Sequence, residues 1–219
     1  MSEPITLYID YLSQPSRAAL AFFLFNKVPH KVQEIRIVKG QHLQPEFRKI
    51  NPFRKVPVID DNGFILQESH AILRYLSETR KVPDHWYPKD PKRRALVDRY
   101  LDWHHSNTRR CARYFQAAFK DVFPPGYITW TTESMEKPVE KILKTFEEVF
   151  LKDGKYLNGE NEMTIADISA ACEIMQLKKT HFDFSRFPVL EEWLNKCMAH
   201  KEMIDAHSVI SKVLTKPKL

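Results

Sequence analysis

Residues 55–69 hold the side chains best suited to binding a charged small molecule. This segment predicts a strand, a tight Asp-Asn-Gly turn at 61–63, a second strand and the start of a helix. Pro57 lies inside the first strand, where it cannot donate to a β-ladder, and this favours an edge position or a bend with a cis bond. Glu68 and Ser69 open the helix, where free amides attract negative charge. The segment therefore predicts a site for a peptide that carries carboxylates.

A second predicted helix start lies at Ser13, close to the amino terminus. Residues 5–10 predict a strand, and Ser-Gln-Pro at 13–15 then supplies a capping hydroxyl and a proline in the first helical turn. A serine in such a place is most often only a helix cap. The sequence contains no Gly-x-Ser-x-Gly elbow, so it does not predict a Ser-His-Asp relay.

The glycine, cysteine and histidine patterns exclude several other chemistries. The five glycines cannot build a Walker loop or a Gly-x-Gly-x-x-Gly turn. The three cysteines are too far apart for a zinc knuckle or a Cys-x-x-Cys pair, and they predict reduced thiols in a cytoplasmic protein. His104 and His105 are adjacent on a predicted helix and so point in different directions, which gives no reason to expect a metal.

The charge distribution does not favour nucleic acid or a membrane as partner. Lys and Arg total 34 against 28 Asp and Glu, giving a net charge of +6 and a pI near 9.1. The basic excess is spread along the whole chain, so no basic tail or basic domain is available to bind nucleic acid. No apolar run could span a bilayer, and the amino terminus does not resemble a signal peptide. The final Pro-Lys-Leu loosely resembles a peroxisomal address, which is a weaker alternative to a cytoplasmic location.

The predicted elements divide the chain into two domains joined by a linker. Residues 1–80 predict the order β-α-β-α-β-β-α, a mixed sheet covered by helices, with the second strand at 32–37. Residues 81–91 contain several prolines and predict the linker. Residues 92–219 predict helices only, so the fold class is α/β followed by all-α. The expected helices are 92–119, 133–151, 164–178, 188–199 and 203–214, with Pro124-Pro125-Gly126 between the first two.

A capping box is predicted inside the helical domain. Thr164 is the expected N-cap and Asp167 stands three residues later, while Met163 and Ile168 would form the hydrophobic staple. This motif predicts a firmly fixed helix start.

Three motifs follow one another in a specific order: Val-Pro at 56–57, Glu-Ser at 68–69 and Thr-Ile-Ala-Asp-Ile at 164–168. In this order they resemble the cytosolic glutathione transferases, and the resemblance covers nearly the whole chain. Further stretches are similar to the theta class: 7–15, 39–43, 82–88 and 109–110. The resemblance implies a thioredoxin-like first domain, an all-helical second domain and a homodimer. It also implies glutathione as co-substrate, no metal, and a small electrophile or a hydroperoxide as second substrate.

The resemblance assigns residues to two sites. In the family, the backbone before a cis proline pairs with the cysteinyl part of glutathione, and the Glu-Ser pair holds the γ-glutamyl end. The implied glutathione site comprises His42, Leu43, Lys55, Val56, Pro57, Glu68, Ser69, Ser106 and Arg109. The implied electrophile pocket comprises Tyr11, Leu12, Arg109, Tyr114 and Phe115.

Ser13 is the catalytic residue that the theta-like context implies. A free thiol with a pKa of about 8.5 is mostly protonated at neutral pH, and the thiolate is the nucleophile. A hydroxyl that donates to the sulfur, aided by helix amides, lowers the pKa of that thiol. Tyr8 and Tyr11 are rivals, because other classes of the family use a tyrosine near the chain start, and Ser16 is a third.

Arg109 and Arg113 are four residues apart in the predicted helix 92–119 and so would share a face. Either this face is a solvated basic surface, or Arg109 contacts a glutathione carboxylate or the leaving group of the electrophile. Mammalian theta enzymes carry additional C-terminal residues over the active site, whereas this sequence ends at Leu219, so we expect a more open electrophile pocket.

Two alternative functions remain open at this point. Transferase-like domains also occur as non-catalytic glutathione-binding or structural proteins, and other members catalyse dehalogenation or isomerisation on the same site. Members that reduce disulfides or dehydroascorbate use a cysteine at the first helix start. No cysteine precedes Cys111, which excludes that chemistry in the first domain.

Overall fold

A four-stranded mixed sheet forms the centre of the first domain. The computed structural model describes residues 3–123, 126–152 and 155–213. The strands occur in the spatial order β2-β1-β3-β4, with β2 parallel to β1 and the other neighbours antiparallel. Their bounds are β1 Ile5–Ile9, β2 His30–Glu34, β3 Val58–Asp61 and β4 Phe64–Gln67.

The register of the sheet follows the alternation of apolar residues. Ile5, Leu7 and Ile9 are buried on one face of β1, and Leu7 is the partner of Ile59 in β3. Asn62 and Gly63 both have positive φ, as the two-residue turn between β3 and β4 requires. The hairpin is therefore confirmed as predicted.

Three helices cover the sheet: α1 Gln14–Phe25, α2 Pro45–Ile50 and α3 Ser69–Thr79. α1 is buried over nearly its whole length, because it packs against α3 and also against helices of the second domain. Small side chains at Ala18, Ala19 and Ala21 are completely buried and let these neighbours approach closely. The thioredoxin-like arrangement predicted for residues 1–80 is confirmed.

In the described part of the chain, only helices and turns follow β4, so the all-helical second domain is confirmed. Its centre is α7, in which every residue is buried. Within the described ranges, no helix has both the length and the apolar content needed to cross a bilayer. The helices are α4 Pro91–Ser106, α5 Cys111–Ala118, α6 Thr132–Phe150, α7 Ile165–Ile174, α8 Pro188–Met198, α9 Lys201–Ala206 and α10 Ser208–Val213.

The predicted single helix over 92–119 is wrong, because the chain breaks at Asn107. This residue has φ of −122° and ψ of −83°, and its side-chain amide donates to the carbonyl of Trp103 at 3.0 Å. Asparagine competes with the backbone in this way and ends helices. A short 3₁₀ turn, Thr108–Arg110, then leads into α5.

Smaller differences concern three other elements. The second strand covers His30–Glu34 rather than 32–37, and Ile37 begins a 3₁₀ turn. The last predicted helix is divided at His207, whose Nδ1 bonds to the carbonyl of Met203 at 2.7 Å. The proline separator at 124–125 and the chain end from Leu214 onwards lie outside the described residues.

The capping box at the start of α7 is confirmed, and it ties three segments of the helical domain together. The Asp167 carboxylate is fully buried and accepts from the backbone and hydroxyl of Thr164, each at 2.9 Å. It also accepts from the Leu157 amide at 2.9 Å and from Trp193 Nε1 at 3.0 Å. Burial raises the pKa of Asp167, and these donors oppose that rise.

We expect Asp167→Ala to lower the free energy of unfolding by about 3 kcal/mol or more, because it leaves several buried donors without an acceptor. Urea denaturation followed by circular dichroism measures this loss. Asp183→Ala is the matched control, since this exposed carboxylate accepts from nearby Ser185 and its loss should cost less than about 1 kcal/mol. Equal losses in the two variants would contradict the proposed role of Asp167.

Candidate active site

A cavity of about 700 Å³ lies between the first domain and the α4–α5 region. Of the residues that the sequence assigned to the two sites, the following line it: Leu12, Ser13, His42, Leu43, Lys55, Val56, Pro57, Glu68, Ser69, Arg109 and Phe115. Three predicted site residues do not line it: Tyr11, Ser106 and Tyr114. The structure therefore brings together residues that are separated by as much as half the chain.

Ser13 is the N-cap residue of α1 and borders the cavity. Its backbone is extended, with φ of −78° and ψ of 120°, and its side chain makes no capping hydrogen bond. The hydroxyl is thus not used by the helix, in contrast to the usual role of a serine in this place. This geometry allows it to donate to an atom inside the cavity.

Asp10 fixes the chain immediately before Ser13. Its carboxylate accepts from the Leu12 amide at 2.8 Å and from the Ile37 amide at 2.7 Å, while its carbonyl accepts from the Ser13 amide at 2.9 Å. Asp10 is buried and links two sides of the cavity. The sequence did not identify this residue, although an aspartate at the end of a strand and just before a helix is a common turn former.

Arg17 supports the same turn from beneath. Its Nη1 donates to the carbonyls of Tyr11 and Leu12 at 3.0 and 2.9 Å, and the side chain is fully buried. Burial lowers the pKa of Arg17 to about 10, so the guanidinium remains charged at neutral pH. A fixed positive charge therefore lies one helical turn from Ser13.

The Val56–Pro57 peptide bond is cis, as the sequence and the resemblance both indicated. The loop before it is held by Asn51, which is completely buried. The Asn51 side chain donates to the carbonyl of Lys55 at 2.7 Å and accepts from the Phe53 amide at 3.0 Å. The backbone next to Pro57 is thus presented to the cavity by a side chain that sequence analysis missed; the Asn-Pro pair at 51–52 was the available signal.

Glu68 and Ser69 form the start of α3 at the cavity wall. Glu68 has φ of 67° and ψ of 112°, a backbone conformation that L-residues rarely adopt. Such a conformation costs about 1–3 kcal/mol and persists only where the surrounding structure imposes it. The strain directs the first amides of α3 and the Glu68 side chain to one region of the cavity.

The rivals of Ser13 lie in less suitable places. Tyr8 packs edge-on against Phe47, with ring centroids 6.2 Å apart, and does not line the cavity. Burial, and then Asp60, raises the pKa of Tyr8. Ser16 is completely buried within α1. These placements favour Ser13.

Arg109 borders the cavity from the 3₁₀ turn between α4 and α5. Its Nη1 donates to Glu173 Oε2 at 2.9 Å and also to Gln14 Oε1. The two arginines lie on different elements, Arg109 on the 3₁₀ turn and Arg113 on α5, and their side chains have different partners. The Arg113 guanidinium instead lies over the ring of Trp130, 5.5 Å from its centroid.

Three histidine rings meet at the same wall of the cavity: His70, His104 and His105, with centroids 4.5 to 6.1 Å apart. Burial lowers the pKa of both His70 and His104, so these two rings are neutral at pH 7. His70 Nε2 lies 2.6 Å from Ser169 Oγ. Across the described residues, no three His, Cys, Asp or Glu side chains are arranged to hold a metal ion.

An apolar wall continues from α5 into the segment that follows it. Phe115 lines the cavity as predicted, whereas Tyr114 is buried against Phe182, with ring centroids 5.3 Å apart. Further apolar residues line the cavity at and beyond the end of the predicted helix 92–119, where the sequence indicated no site residues: Phe119, Val122, Phe123 and Tyr127.

Comparison with known proteins agrees with this architecture. The model of the glutathione S-transferase N-terminal domain matches residues 7–84, and that of the C-terminal domain matches residues 130–201. The chain belongs to the glutathione S-transferase family. It is 37% identical to glutathione S-transferase theta-1 of Mus musculus, over 95% of this chain and 90% of the relative. It is 38% identical to glutathione S-transferase T1 of Arabidopsis thaliana, with the same coverage.

Solved transferase structures have the same fold. The apo form of human glutathione-S-transferase T1-1 superposes with a TM-score of 0.87 at 36% identity, covering 95% of this chain and 90% of that one. A human theta-class transferase in complex with the glutathione conjugate of 1-menaphthyl sulfate superposes with a TM-score of 0.85 at 32% identity, covering 98% and 93%. These likenesses confirm the resemblance to the theta class.

We expect Glu68→Gly to raise the free energy of unfolding by up to about 1 kcal/mol, because glycine accepts positive φ without strain. The same change should weaken glutathione binding at least about ten-fold, through loss of a charge-assisted contact. Urea denaturation and isothermal titration measure the two effects.

The matched control is Glu68→Gln, which keeps a side chain on the strained backbone and removes only the charge. It should lose affinity without gaining stability. Wild-type affinity for glutathione in both variants would show that Glu68 does not contact the ligand.

Proposed function

We propose that this transferase binds glutathione in the 700 Å³ cavity and activates its thiol, through Ser13, for attack on small electrophiles. The observation that carries the proposal is that Ser13 borders the cavity at the start of α1 while its side chain makes no capping hydrogen bond. The theta-class relatives of known structure include one that holds a glutathione conjugate.

Glutathione fits the cavity in one direction. The γ-glutamyl end would lie at Glu68 and Ser69, where the first amides of α3 would donate hydrogen bonds to an anionic group. The cysteinyl backbone would pair with Val56, next to the cis bond. The glycyl carboxylate would reach His42 and Lys55, which both line the cavity. This direction puts the thiol beside Ser13.

The chemistry requires only that the thiolate be stabilised. The thiol proton leaves to water, and the Ser13 hydroxyl then donates to the anionic sulfur, assisted by the amides of α1 and the buried charge of Arg17. The sulfur attacks an electrophilic carbon, a C–S bond forms, and the leaving group departs with its electron pair. Arg109 would stabilise the negative charge on that leaving group.

Phe115 and its apolar neighbours would bind the hydrophobic part of the electrophile. The assignments of Tyr11, Ser106 and Tyr114 remain predictions that the cavity of this single chain does not support, since none of the three lines it. The homodimer, the cytoplasmic location and a role in detoxification also remain predictions. The exposed side chains of Phe53 and Phe64 are apolar surface that a second copy could cover.

We expect Ser13→Ala to lower kcat by about 10²-fold, because one donor to the developing charge is lost. The pKa of the bound thiol should rise by about 1–2 units, so the pH profile of kcat/KM moves to higher pH. Thiolate absorbance of the glutathione complex measures the pKa, and steady-state kinetics measures turnover. Tyr8→Phe is the control and should behave as wild type. Turnover that survives Ser13→Ala and disappears in Tyr8→Phe would overturn the assignment.

A substrate panel distinguishes the proposed transferase from its alternatives. We expect glutathione-dependent release of halide from an alkyl halide and an aryl halide. Reduction of an organic hydroperoxide would proceed on the same thiolate, with two glutathione molecules giving glutathione disulfide, the alcohol and water. Glutathione binding without turnover of any of these substrates would favour the non-catalytic alternative.

A further inference from the structure

Glu173 is an ionised side chain in the interior of the protein, on the last turn of α7. Its carboxylate is completely buried. Burial by itself raises the pKa of such a group, but Arg109 and His104 outweigh it and lower the pKa of Glu173 below its ordinary value. A buried charge of this kind is costly unless it is paired, so its partners indicate what it is for.

The partners of Glu173 fix both of its oxygens. Oε1 accepts from Gln176 Nε2 at 2.9 Å, and Oε2 accepts from Arg109 Nη1 at 2.9 Å. His104 Nε2 lies 3.6 Å from Oε2 and is itself buried. The carboxylate therefore cannot rotate without losing a hydrogen bond.

Arg109 differs from its partner in exposure. Its side chain is 45% exposed and borders the cavity, whereas Glu173 lies behind it with none of its side chain exposed. An arginine on a short turn at a surface has several accessible rotamers. The contact with Glu173 holds one nitrogen of the guanidinium inward and leaves the rest of the group directed towards the cavity.

A second acceptor places this guanidinium relative to Ser13. Gln14, the residue after Ser13, accepts from the same Arg109 nitrogen, and its own Nε2 donates to the carbonyl of Ser169 on α7 at 3.2 Å. Arg109 is thus tied both to the helix that carries Ser13 and to the helix that carries Glu173. Its charge therefore borders the cavity next to the residue that follows Ser13.

We infer that Glu173 is a positioning residue for the reaction: it holds the Arg109 guanidinium at the place where the leaving group of the electrophile develops negative charge. This inference rests on the proposed function. Glu173 does not touch either substrate, and its effect on turnover passes through Arg109. Glutathione binding and thiol activation rest mainly on Val56, Glu68, Ser69 and Ser13 in the proposed function, so they should change far less than turnover when Glu173 is replaced.

The test uses benzyl chloride as electrophile and compares the full-length protein with Glu173→Gln, Arg109→Ala and the double variant. Glu173→Gln should lower kcat for benzyl chloride about 10- to 100-fold, as expected when a charged group is displaced by about 1 Å. The KM for glutathione and the pKa of the bound thiol should change much less than kcat does. In the Arg109→Ala background, Glu173→Gln should cause no further loss.

Two further variants keep the test decisive. Glu173→Asp replaces Glu173→Gln in the test if the latter does not fold. It keeps the buried charge but shortens the side chain, so it should lose turnover with little loss of stability. Glu148→Gln is the matched control on the exposed face of α6, where Glu148 pairs with Lys144, and it should have no effect. Crystal structures of the Glu173 variants should show Arg109 displaced from Gln14.

The inference is overturned if the Glu173 variants lose the same activity with Arg109 present or absent, or if glutathione affinity and thiol pKa change as strongly as turnover. An Arg109 side chain that keeps its place in the crystal structures of the variants would also overturn it. Failure of the wild-type protein to turn over any electrophile would instead count against the proposed function, and the structural comparison would then still decide the role of Glu173.

Discussion

The burial of α1 between the sheet and α7 is the constraint on which the rest of the structure depends. Nearly every side chain of this helix is buried, including the polar Gln14 and Arg17. Its position fixes where β1 ends and therefore where Ser13 stands. Because α7 belongs to the second domain, the same contact fixes Glu173 and Arg109 relative to Ser13. The cavity is thus a consequence of how two domains pack on one helix.

Polar groups at this junction are paired across the domain boundary. Gln14 bonds to Ser169 and Arg109, and His70 on α3 bonds to Ser169 as well. Paired buried groups of this kind allow little sliding, since a displaced helix would leave donors and acceptors unsatisfied. These paired polar groups make the site more rigid than a purely apolar interface would.

Stability and function act against each other at the start of α3. Glu68 adopts a strained backbone conformation at the cavity wall. The side chains of Asn51 and Asp10 form hydrogen bonds that fix backbone loops beside the same cavity. The second domain contains the Asp167 capping box and a core in which every residue of α7 is buried.

Much of the fold and part of the site follow from local sequence patterns. Three features depend on residues close in sequence and were predicted correctly: strand β1, the Asn-Gly turn and the Thr164–Asp167 box. The cis bond before Pro57 was indicated by the position of the proline inside a predicted strand and by the family resemblance. The helix over 92–119 was predicted wrongly, because apolar spacing continues across Asn107 while the backbone does not. Ser13 was found from its helix start, yet only the structure shows that its hydroxyl is not used as a cap.

The sequence by itself determined which elements form, since capping, turn formation and periodicity act over a few residues. Only the tertiary structure decided which side chains meet. Glu173 and the contact between Asp10 and Ile37 have no local signal in the sequence, because in each case the partner lies on a distant segment that comes close only through packing. A buried charge such as Glu173 is stable only where an opposite charge pairs with it. Its partner Arg109 is distant in sequence, so no local spacing along the chain predicts the pair.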